Sequence, residues 1–78
     1  MMEIPVATVP VDSTLLASIS YEPDAALLYL QFRDGAAYRY FNVPVDIYNG
    51  LLGANSKGVY FNRRIRGSFR HVLLRRSE

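Results

Sequence analysis

Period-two alternation dominates the first half of the chain. Between Leu16 and Tyr21, Ala17, Ile19 and Tyr21 alternate with Ser18 and Ser20, the pattern of a strand with one buried face. Glu22-Pro23-Asp24 follows as a turn, because proline presets the second turn position and aspartate bonds its local backbone. Leu28, Leu30 and Phe32 then alternate with Tyr29, Gln31 and Arg33, and a further strand is predicted from Ala36 to about Asn42.

The loop at Asp34-Gly35 decides which side chains share the buried face. A two-residue loop would set Arg39 opposite Leu30, on the apolar side. A three-residue loop, Arg33-Asp34-Gly35 with a left-handed glycine, sets Tyr38 opposite Leu30 and Tyr40 opposite Leu28. An unpaired buried arginine costs several kcal/mol, to order of magnitude, whereas a tyrosine needs one hydroxyl partner. The three-residue loop is therefore expected. It turns Tyr38 and Tyr40 inward and leaves Tyr29, Gln31, Arg39 and Phe41 on the opposite side.

After Val43-Pro44 the period lengthens. Ile47, Tyr48, Leu51 and Leu52 have helical spacing, Pro44 suits a first turn, and Asp46 complements the positive helix end. Ser56 caps a second short helix running to about Arg66 and stopped by Gly67, with Phe61 and Ile65 as its buried stripe. The expected fold class is α+β: an antiparallel three-stranded meander with two short helices packed on one face. Ser68–Leu74 is open to forming a fourth strand. Residues 1–12, with Pro5 and Pro10, read as an arm or an edge segment. Residues 13–74 form a single domain, and residues 75–78 a basic tail.

These motifs, in this order, resemble the KTSC domain, found at the C-terminus of some lysyl-tRNA synthetases and as free-standing bacterial proteins. The residues that carry the resemblance are Tyr21-Glu22-Pro23, Leu28-Tyr29-Leu30-Gln31-Phe32, Tyr38-Arg39-Tyr40 and Val43-Pro44. They continue through Ile47-Tyr48-Asn49-Gly50-Leu51-Leu52, Ser56-Lys57-Gly58-Val59-Tyr60-Phe61-Asn62 and Ile65-Arg66-Gly67. Ser20 stands where many members have glycine, and the residues from Ser68 onward match no family pattern. The resemblance covers about Ser13 to Gly67. It implies an RNA partner, through the family's attachment to a tRNA enzyme, and brings no catalytic residues with it.

Composition narrows the classes further. A chain of 78 residues has room for one core. Half of it is hydrophobic and 13% aromatic, which excludes a disordered tail. The longest apolar run, Ala25–Leu30, is far short of the ~20 residues that span a bilayer. With no cysteine, disulfide and thiolate chemistry are excluded. A cytosolic location, no membrane partner and no cofactor are expected.

Charge is distributed unevenly. Residues 1–55 carry an excess of four negative charges, and residues 56–78 an excess of six positive ones. The basic set is Lys57, Arg63, Arg64, Arg66, Arg70, Arg75 and Arg76, mostly arginine, whose planar fork matches phosphate oxygens. With Tyr60 as a base-stacking aromatic, these residues are the expected nucleic-acid contact; a solvated face pairing with the acidic half is the plainer alternative. Tyr29, Gln31, Arg39 and Phe41 form a candidate interaction face on the open side of the sheet, suited to a homodimer. His71 has no metal-ligand or acid–base partners at suitable spacing and reads as a surface residue of the terminal segment. Tyr38 and Tyr40 read as core, and Asn62 as a structural residue.

Overall fold

The computed structural model describes residues 8–77. Within them lie β1 (Val9–Pro10), β2 (Leu16–Glu22), β3 (Leu27–Phe32), β4 (Ala37–Tyr40), α1 (Val45–Gly53), α2 (Lys57–Tyr60) and β5 (His71–Arg75). α2 continues directly into a π-helical turn, Phe61–Ile65. The strands form one antiparallel sheet in the order β1-β2-β3-β4-β5. The α+β class is as expected, but the described residues hold five strands rather than three or four. Both additions lie at the edges. Val9 and Pro10 pair with Ile19 and Ser18, a place where a proline costs no central ladder bond. His71–Arg75 returns beside β4 and makes Ser68–Leu74 a strand in its second half. The expected arm of residues 1–12 falls partly outside the described residues.

The β3–β4 loop has the length that the arginine argument required. Phe32 N–H donates to the Ala36 carbonyl at 2.8 Å, Gly35 N–H to the Phe32 carbonyl at 3.0 Å, and Gly35 sits at φ 100. Leu28 then pairs with Tyr40, Leu30 with Tyr38 and Tyr29 with Arg39. In β2 the alternation breaks at a bulge between Leu16 and Ser18. The extra residue turns Leu16 into the core beside Ile19, three positions on. Simple period-two counting puts Ala17 there.

The helices cover one face of the sheet. Leu51 from α1 and Phe61 and Ile65 from the π turn join Leu16, Ile19, Leu28, Leu30, Tyr40 and Val43 in a single buried cluster. Tyr21 stacks on Tyr48 at 4.7 Å and donates its hydroxyl to the Val43 carbonyl. This fixes α1 against β2. Ser56 caps α2 as expected, accepting from Val59 N–H at 3.2 Å. Gly67, at φ 78, ends the segment.

Where the helices cross, Tyr60 lies across Gly50 and donates its hydroxyl to the Ile47 carbonyl at 3.2 Å. A Cβ on Gly50 would stand 2.7 Å from Tyr60 Cζ. Gly50→Ala is expected to cost about 1 kcal/mol net, with overpacking outweighing the gain in helix propensity. In a Tyr60→Ala background the sign should reverse, giving a gain of about 1 kcal/mol. Urea unfolding of the four proteins checks this, and an unchanged sign would contradict the crossing.

Candidate functional site

Strand alternation gives Tyr38 and Tyr40 of β4 the helix side of the sheet, and the pairing Tyr40↔His71 and Tyr38↔Leu73 puts His71 and Leu73 beside them. The helices do not reach this far. His71 is exposed, and Leu73 retains 47% exposure although it lies on the apolar side. Between β5 and the π turn an open cleft of about 780 Å³ remains.

Its floor is aromatic. His71 lies 5.2 Å from Tyr40 and 5.6 Å from Tyr38, and Tyr40 meets Phe61 edge-on at 6.0 Å. Phe32 meets Tyr38 and Phe61, also edge-on. Asn62, Arg66, Arg76 and Ser77 supply polar groups around it. Asp34 adds one carboxylate to the lining, and its Oδ1 accepts from Ala36 N–H at 2.9 Å. Arg66 is held from two sides. Its N–H closes the π turn on the Phe61 carbonyl at 2.8 Å, and its guanidinium donates to Asn62 Oδ1 at 3.4 Å.

Burial pushes the Tyr40 phenol up to about 12, Tyr38 beside it adds to the rise, and the Arg66 guanidinium opposes it. The folded state therefore favours the neutral phenol. Its contribution is fully present below the ordinary tyrosine range near 10 and is lost as pH rises through 12. Stability measured by urea titration is expected to fall between pH 10 and 12. In Tyr40→Phe the fall should be shallower by about 2 kcal/mol. Parallel curves for the two proteins would contradict this.

The expected basic face is distributed over several places. Arg66 and Arg76 line the cleft. Arg63 and Arg64 line a separate hollow on the helix flank with Asn55, Ser56 and Tyr60. Arg70 lies 5.1 Å over the Phe41 ring, on the opposite face of the sheet. Lys57 donates to the Ala54 carbonyl at 3.0 Å, and Arg75 Nε to the Gly35 carbonyl at 2.9 Å. Arg75 belongs to β5 rather than to a tail. Tyr60, expected to stack on a base, has its hydroxyl on Ile47 and the Arg64 guanidinium 5.8 Å over its ring.

On the side of the sheet away from the helices, Tyr29, Arg39 and Phe41 lie together. Arg39 lies over Tyr29 at 5.6 Å and over Phe41 at 5.9 Å, and Gln31 accepts from Ser18 Oγ at 3.1 Å. Tyr29 donates to Glu22 at 2.8 Å; burial, then Glu22, raises its phenol, and Arg39 partly offsets this. Sequence reasoning missed His71, Tyr38 and Asn62 as cleft residues. The signal was available in one form: a strand over Ser68–Leu74, paired antiparallel to β4, places His71 opposite Tyr40.

No helix among the described residues is long and apolar enough to cross a membrane, and none of their His, Asp and Glu side chains cluster in threes to hold a metal. Residues 12–69 match the family model of the KTSC domain. The chain is 37% identical over 65 residues to a protein of Tsukamurella paurometabola, covering 83% of this chain and 97% of that one. It is also 37% identical over 63 residues to a lysine–tRNA ligase of a Nostoc species, covering 81% of this chain but only 11% of the ligase. The crystal structure of a KTSC domain protein from Yersinia pestis superposes with a TM-score of 0.84 at 36% identity, covering 87% of this chain and 96% of that one.

Proposed function

This chain belongs to the KTSC domain family, and from that premise we propose that it is a cytoplasmic nucleic-acid-binding module, without turnover, whose partner is RNA. The observation that carries the reading is the pair Arg66 and Arg76 beside an open cleft floored by aromatic rings. Guanidinium groups neutralise phosphates and release counterions, and rings beside them accept unstacked bases. The similarity to part of a lysine–tRNA ligase supports RNA as the nucleic acid. Arg63 and Arg64, exposed on the helix flank, add charge at longer range.

Titrating a fluorescently labelled single-stranded RNA at several salt concentrations tests the reading. If about four phosphates are engaged, log affinity falls against log salt with a slope of roughly −3, and Arg66→Ala flattens it by about 0.7. No binding at low salt overturns it. A second reading, self-association through the open sheet face, is favoured by Val72, 42% exposed and paired with Arg39. Sedimentation separates the two: a dimer weakened by Phe41→Ser and indifferent to RNA supports self-association.

A further inference from the structure

We infer that the cleft seats one unpaired nucleotide, its base against His71 and its phosphate between Arg66 and Arg76. The inference rests on the nucleic-acid reading and names the part of the polymer that enters. A base needs an aromatic face that the chain has not already covered, and this separates the arginine-bearing surfaces. On the helix flank, Arg64 occupies the Tyr60 ring. On the open sheet face, Arg39 and Arg70 both approach the Phe41 ring, and Arg39 also lies over Tyr29. In the cleft, His71 is exposed, with Tyr38 and Tyr40 behind it.

Four features give this site direction and selectivity. The β4–β5 ladder sets the His71 backbone, and the Tyr38 and Tyr40 rings beside its imidazole limit the freedom lost when a base stacks on it. Arg66 stands at the end of a π turn, a winding that recurs at functional sites, and keeps most of its donors for a phosphate beyond its bond to Asn62. Asp34 brings negative charge to the lining, so a phosphate is favoured at the arginines and away from the β3–β4 loop. Leu73, left 47% exposed, becomes an apolar wall for the base. Bases inside a duplex hide their faces and cannot reach the floor of such a concavity, so the site discriminates for unpaired nucleotides.

Amide mapping of the full chain with adenosine 5′-monophosphate, adenosine and inorganic phosphate as separate probes tests the inference, alongside binding of an unpaired oligoribonucleotide and of a blunt duplex. The expected result is that the monophosphate shifts the amides around Tyr40, Arg66 and His71 at lower concentration than either fragment. The unpaired oligonucleotide should bind more tightly than the duplex. His71→Ala should weaken it about tenfold, with His71→Phe restoring most of the loss. Oligonucleotide binding with silent cleft amides overturns this inference and leaves the nucleic-acid reading standing. Absence of binding by every probe at low salt overturns both.

Discussion

If RNA is the partner, reversing both cleft arginines, R66E with R76E, is expected to weaken its binding at least about a hundredfold at low salt, since two charge-assisted phosphate contacts would be lost and two repulsive charges added. The salt slope should flatten from roughly −3 to roughly −1.6, because about 0.7 of the slope belongs to each single-strand phosphate contact. Both side chains are exposed, so urea stability should stay within about 0.5 kcal/mol of the parent. The matched control is R63E with R64E. It makes the same change in net charge in the hollow on the helix flank and keeps the cleft intact. If binding depended only on overall charge, the two double variants would lose affinity equally. A cleft site requires the first to lose far more. Equal losses would remove the reason for distinguishing Arg66 and Arg76 from the other cations.

That distinction was invisible in the count of charges. Residues 56–78 are plainly basic, but the direction of each guanidinium follows from strand pairing that the sequence signals only faintly. His71-Val72-Leu73-Leu74 shows no clean alternation, because Val72 and Leu73 are exposed on opposite faces and the register shifts between Ala37 and Tyr38 on the partner strand. Once β5 is paired to β4, Arg70 falls beside Phe41 and His71 beside Tyr40. Strong local physics was easier to read. The cost of burying Arg39 selected the three-residue loop, and the turn chemistry of Ser56 and Gly67 bracketed the second helix. The π turn escaped notice because Phe61 and Ile65 are four residues apart in either winding. The Leu16–Ser18 bulge escaped because one inserted residue shifts the alternation without changing composition. Gly50 and Tyr60 lie ten residues apart with no periodic signal joining them, so their contact emerges only from the helix crossing.

Ile65→Ala is expected to lower stability by about 3 kcal/mol, within the 2–5 kcal/mol typical of emptying a buried aliphatic site. Ile65 is fully buried at the end of the π turn, in the cluster that joins the turn to the sheet. A domain of this size has little surplus, so the loss should shift the midpoint of thermal unfolding down by roughly 12–24 °C. Val59→Ala, a similar truncation at a half-exposed position on the same helical segment, should cost less than about 0.5 kcal/mol beyond propensity. A cost below about 1 kcal/mol for Ile65→Ala would mean that the turn collapses into the vacated space and is not held by packing. The milder Ile65→Val, expected to cost about 1 kcal/mol, carries the argument to function. Arg66 follows immediately and owes its backbone position to the Phe61 carbonyl. If packing beneath the turn holds the guanidinium at the cleft, RNA affinity falls in Ile65→Val while the protein remains folded. If affinity is unchanged, Arg66 reaches its phosphate through side-chain freedom alone, and the π turn has no part in binding.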